Sequence, residues 1–147
     1  MRSFGYICLI VLIAGLLSGC KSKKEMIATI ADLDGNWKVT ELNEQKLDPE
    51  QSRQVLQFDI LRRHLSGNAG CNRMTGSIEY NEAMPNIIKF SQVATTRMAC
   101  PNMKSENEFL GTLAKVVRFQ KTDEAKPIHS IVFFGTDNKP LMVIEKQ

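Results

Sequence analysis

Hydrophobic and polar residues alternate along much of this chain with the period of two that marks half-buried strands. In Asn36 to Leu42, Trp37 and Val39 share a face and define a first strand. In Val55 to Leu61, Leu56, Phe58 and Ile60 alternate with Gln57 and Asp59. Ser77 to Tyr80 sets Ile78 beside Tyr80, and Asn86 to Ser91 sets Ile88 beside Phe90. Turn formers fill Asn43 to Ser52 and Gly67 to Gly70. The period changes once. Phe109, Leu113 and Val116 recur at helical spacing, with Leu110 and Val117 beside them, and Ser105 with Glu108 fits a capping box. Ser105 to Val117 is therefore predicted as one amphipathic helix. Two more strands, Ile131 to Phe134 and Leu141 to Ile144, flank a hairpin-like link from Gly135 to Pro140. Both are apolar at successive positions, so both faces need cover: a barrel interior on one side and the helix on the other. The expectation is a mainly β (α+β) fold, an antiparallel sheet closed or nearly closed, with one helix packed against it.

The N-terminus follows a different logic. Arg2 precedes the apolar run Ile7 to Ala14, and Leu17-Ser18-Gly19-Cys20 follows. The run is too short to span a bilayer comfortably. Small residues directly before a cysteine resemble the bacterial lipobox, in which the thiol takes a diacylglyceryl group before cleavage. Residues 1–19 then read as a lipoprotein signal peptide, 20–31 as a lipidated N-terminus and tether, and 32–147 as the folded domain. Cys20 is the expected lipidation site. The expected location is the cell envelope, at the outer membrane and facing the periplasm.

Charge and cysteines narrow the chemistry. The formal net charge of +3 misleads, because Arg2, Lys21, Lys23, Lys24 and Glu25 all precede Met26. Of 19 Lys+Arg and 16 Asp+Glu, 15 of each remain from Met26 onward, so no basic surface for nucleic acid is implied. With Cys8 in the signal and Cys20 lipidated, Cys71 and Cys100 are left for a disulfide. It would close a loop of about 30 residues, worth roughly 3–4 kcal/mol in the chain-entropy model.

Three motifs lie in order along the domain. They are Leu33-Asp34-Gly35-Asn36-Trp37, then Ser66 to Gly76 with Gly70-Cys71-Asn72 at its centre, then Ala94 to Pro101 with Thr96, Met98 and Cys100. Together they resemble the META domain, the family that includes the HslJ lipoproteins of bacterial envelopes. The resemblance implies a small open or cracked β-barrel with a helix, akin to lipid-binding pilotin lipoproteins, in an envelope setting tied to stress or antibiotic tolerance. One segment departs from the family pattern, which places a glycine or polar turn here: Asp59 to Leu65 offers no clear turn residue, which leaves the pairing of its flanking strands open. The motif residues also have structural readings. Gly70 and Gly76 suit positive φ beside a tight loop, Asn72 can bond its own backbone, and Trp37 brings apolar area with one N–H to satisfy.

No catalytic constellation emerges. His64 and His129 are the only histidines, and neither lies near a nucleophile-elbow pattern. Cys71 and Cys100 are too far apart for a Cys-x-x-Cys metal site, and Met74, Met84, Met98 and Met103 are irregularly spaced for copper. No cofactor, no metal and no enzymatic activity are expected. The leading expectation is a tethered binding module for an apolar ligand or a partner's segment, with Trp37, Phe58, Ile60 and Phe90 as inward-facing contacts. The alternative is a structural or stress-protective envelope protein that acts through surface contacts without a pocket.

Overall fold

The computed structural model describes residues 26–101 and 103–147. The expected signal peptide, the expected lipidation site Cys20 and the lysines of the expected tether lie outside them. Nine strands are formed among the described residues: β1 (Gly35–Leu42), β2 (Gln45–Lys46), β3 (Val55–Asp59), β4 (His64–Asn68), β5 (Arg73–Asn81), β6 (Met84–Thr95), β7 (Arg118–Lys121), β8 (Ser130–Phe134) and β9 (Pro140–Lys146). One helix, α1 (Met103–Leu113), connects β6 to β7, and a 3-10 turn (Ile30–Leu33) precedes β1.

Each strand pairs antiparallel with its neighbour, in the order β1-β3-β4-β5-β6-β7-β8-β9, and β9 returns to β1. The mainly β antiparallel barrel with one helix is therefore the fold. It is closed rather than open: β1 and β9 pair from Trp37↔Lys146 to Leu42↔Met142. The narrowest seam is β6–β7, held by the single pair Ile87↔Arg118 and an Ile88 N–H to Val117 C=O bond of 3.1 Å. Strand β2 lies outside the ring, on β1 alone.

The alternation in sequence maps onto the barrel wall. Trp37, Val39, Leu56, Phe58, Ile78, Ile88 and Phe90 are buried in one core with Phe119, Phe133 and Ile144. Phe133 has the rings of Phe58, Phe90 and Phe119 at centroid distances of 6.4, 5.8 and 6.0 Å, the range of favourable aromatic pairs. Strand β8 is buried on both faces, as its continuous apolar run requires. Outside, the Arg118 guanidinium lies 3.9 Å from the Phe134 ring centre.

Both barrel ends are stopped. At the end where β1 finishes and β5 begins, α1 lies across the opening, with Phe109 and Leu113 in the core. At the other end the 3-10 turn inserts Leu33, whose carbonyl accepts the Trp37 indole N–H at 2.6 Å. The Thr29 N–H and hydroxyl both donate to Asp32 Oδ2, at 2.7 and 2.8 Å, and start that turn. The fold thus reaches back to Ala28, which is fully buried, into residues read from sequence as tether.

Three local expectations are corrected. The helix is Met103–Leu113, not Ser105 to Val117; Ser105 lies inside it, and Val116 reaches the core from the turn that follows. The Asp59 to Leu65 segment does turn, without glycine: Arg63 takes φ +51°, and Asp59 Oδ1 accepts the Arg62 N–H at 3.0 Å. Finally, Gly76 has no positive φ. It lies in β5 where a Cβ would meet Val93 Cγ2 at 3.0 Å and Ser91 O at 3.2 Å, so it is needed for the close approach of β6.

Candidate functional site

At the helix end, the stretch from Leu47 to Gln54, the disulfide loop and the start of α1 enclose a cleft of about 570 Å³. Leu47, Met98, Pro101 and the Cys71–Cys100 bridge give it apolar surface, and Ser52, Gln54 and Ser105 give it polar surface. Among the described residues, Arg53 is the one cation and Asp48 the one carboxylate on its lining. One wall is fixed by Lys38, whose Nζ donates to Pro49 O at 2.6 Å, and by Gln54, whose Nε2 donates to Ser105 Oγ at 3.1 Å. Gln54 is buried and Ser105 half-buried, so this bond ties the loop to the helix at the wall of the cleft.

The opposite wall is the Cys71–Cys100 disulfide, with Cα atoms 6.3 Å apart, within the usual bridging range. Behind it lies a buried polar cluster. The Glu106 carboxylate accepts the N–H groups of Cys71 and Asn72 at 3.1 and 2.7 Å through Oε2, and Asn72 Nδ2 at 2.8 Å through Oε1. Asn72 Oδ1 accepts Met98 N–H at 2.7 Å and Thr96 Oγ1–H at 2.8 Å. One amide and one carboxylate thereby fasten the β4–β5 loop, the β6–α1 segment and the helix to one another. Burial raises the Glu106 carboxyl, but the donors from Asn72 and Cys71 together outweigh it and hold it below the usual carboxylate range. Among the described residues the carboxylate has no cation as a hydrogen-bond partner; it is held by N–H dipoles.

The candidate residues divide between this site and the core. Cys71, Cys100, Gly70 and Met98 line the cleft. Asn72 and Thr96 build its rear wall. Gly70 takes φ +130°, as its place beside a tight loop requires. Trp37, Phe58, Ile60 and Phe90, expected as inward-facing ligand contacts, do face inward but are buried in the barrel core and do not line the cleft. Glu106 was missed from sequence because acids in a first helical turn are explained by the helix dipole alone. Among the described residues no group of three His, Cys, Asp or Glu gathers as a metal site. His64 shares a 2.8 Å hydrogen bond with Thr75 on the surface, and Met84 lies at the end of the barrel away from Met98.

A sequence model of the META domain matches residues 28–146. This chain belongs to the META domain family. The match begins at buried Ala28, where the fold begins, and takes in the whole barrel, α1 and the cleft. No curated protein matches the META chain by sequence. Two solved structures share its fold. The NMR structure of a protein from Burkholderia xenovorans aligns with a TM-score of 0.59 at 20% identity, covering 78% of this chain and 82% of that one. The crystal structure of a DUF4847 family protein from Bacteroides vulgatus ATCC 8482 aligns with a TM-score of 0.54 at 11% identity, covering 78% and 94%.

Proposed function

We propose that this META domain protein is a lipid-anchored envelope protein that acts without catalysis, by binding an apolar ligand or a partner's segment in the cleft at the helix end of the barrel. The observation that carries the reading is the cleft: about 570 Å³, of small-molecule size, with a mixed lining between walls fixed by a disulfide and a buried hydrogen-bond cluster. Fixed walls reduce the ordering cost of binding. The aromatic barrel interior plays no part in this reading, since its rings fill the space they enclose.

The test is capture of the lipidated protein from envelope membranes, with mass analysis of co-eluting lipids and peptides. Wild type is compared with Leu47→Glu and Met98→Glu, which place charge on the cleft lining, and with Arg97→Glu outside it. A bound species lost from the first two and kept by the third supports the cleft. For a purified candidate, 100 times its dissociation constant should stabilise the fold by about 2.7 kcal/mol. Equal recovery from all three variants would refute the reading. A second reading, a structural or stress-protective protein without a ligand, is favoured by the packed interior and would then take its place.

A further inference from the structure

Leu61 is 98% exposed at the tip of the β3–β4 turn and is followed by Arg62 and Arg63. An exposed leucine alone is ordinary; its place in the molecule gives this one weight. The turn is rigid. Arg62 Nη1 donates to Asp59 Oδ2 at 2.7 Å, and the Arg63 N–H to Ile60 O at 3.2 Å. The Arg63 guanidinium lies 4.0 Å from the Tyr80 ring centre, and the Tyr80 hydroxyl donates to Ile60 O at 3.3 Å. The neighbouring β5–β6 turn presents Met84, 49% exposed, at the same end of the barrel.

The chain also enters the fold at this end. The Lys121 N–H, at the close of β7, donates to Met26 O at 3.2 Å. Six residues from Cys20 to Met26 span at most about 20 Å. A lipid on Cys20 keeps this end within that distance of the bilayer, while the cleft lies at the opposite end of the barrel. We propose that the β3–β4 turn docks on the bilayer that holds the anchor: Leu61 enters the interfacial layer, and Arg62 and Arg63 sit at the level of the lipid phosphates. Asp59 and Glu82 at the same end keep free adsorption weak, so the contact depends on the tether. The domain then stands with its cleft turned away from the membrane. This rests on the lipid anchoring proposed above.

The experiment uses the full, lipidated protein in vesicles of phosphatidylethanolamine and phosphatidylglycerol with brominated acyl chains, which quench tryptophan. Trp37 is the only native tryptophan and is buried, so it supplies a low background. Leu61→Trp and Met84→Trp report the docking end, and Gln51→Trp reports the cleft end. Quenching several-fold greater for Leu61→Trp than for Gln51→Trp, with Met84→Trp between them, is expected. Equal quenching at Leu61→Trp and Gln51→Trp, in protein that floats with the vesicles, overturns the docking and leaves the anchor standing. Loss of flotation, together with equal fatty-acid labelling of wild type and Cys20→Ala, overturns the anchor and the docking with it.

Discussion

Glu106 shows how much one side chain can organise. It is 2% exposed, carries charge at neutral pH, and holds two backbone N–H groups and one amide. In Glu106→Gln, an NH2 group must face either those backbone donors or Asn72 Nδ2. The orientation toward Asn72 Nδ2 leaves one buried donor without its acceptor and the other leaves two, so the less costly one loses about 1–3 kcal/mol in chemical denaturation. The pH dependence has a definite sign. The folded carboxyl lies below its unfolded value of about 4.3, so its contribution is present above that pH and fades as pH falls through the folded pKa. Glu106→Gln should lose less stability than wild type below about pH 4.3. An unchanged acid limb would show that other carboxylates dominate. The companion variant Asn72→Asp sets a second carboxylate where Nδ2 now donates at 2.8 Å. It should be less stable than wild type at pH 7 and regain part of the difference on acidification, as a melting series from pH 7 to 4 would read. Asn72 was legible in sequence as a loop-holding residue. Glu106 was not, because its partners lie 34 and 35 positions away and only the fold brings them together.

At the scale of elements, the period-two pattern found the strands whose inner faces are apolar and missed those that carry another signal. Strand β4 ends in Gly67 and Asn68, which read as turn residues; Gly67 is required there because a Cβ would lie 2.0 Å from Val55 O. Strand β7 has only Phe119 buried, and one apolar residue in four leaves no alternation to read. That helix was placed by its core residues and mis-bounded by a capping pattern that tertiary contacts override. Its face was right: Phe109 and Leu113 are 0% and 1% exposed. Leu113→Ala should therefore cost about 2–5 kcal/mol in urea denaturation; a cost well below 1 kcal/mol would mean that the helix end collapses into the space. The disulfide joins β4–β5 to the segment before this helix across 29 positions. Replacing both cysteines with serine should lower stability by about 3–4 kcal/mol on the chain-entropy account. Alkylation of the oxidised, folded wild type should find no free thiol at Cys71 or Cys100.

For the whole molecule, closure is the feature the sequence left open, since strand composition does not say whether the last strand meets the first. The ring closes through β1–β9, and its weak point lies elsewhere. Strand β7 pairs with β8 from Arg118↔Phe134 to Lys121↔Ile131 but with β6 at one position. The two neighbours are also separated in sequence by the whole of α1, so no tight turn fixes their register. The stability of a barrel is not uniform, and its segments open locally with different free energies. The bonds across β6–β7, Ile88 N–H to Val117 O among them, should exchange before those of β5–β6 and β1–β9, whose ladders run the length of their strands. Residue-resolved hydrogen exchange on the intact protein tests this. Early exchange confined to Ile88 and its neighbours would mark the seam as the route by which the barrel opens. Equal protection there and along β1–β9 would show that the aromatic core, in which Phe119 of β7 and Phe90 of β6 both contact Phe133, holds the two strands together through their side chains.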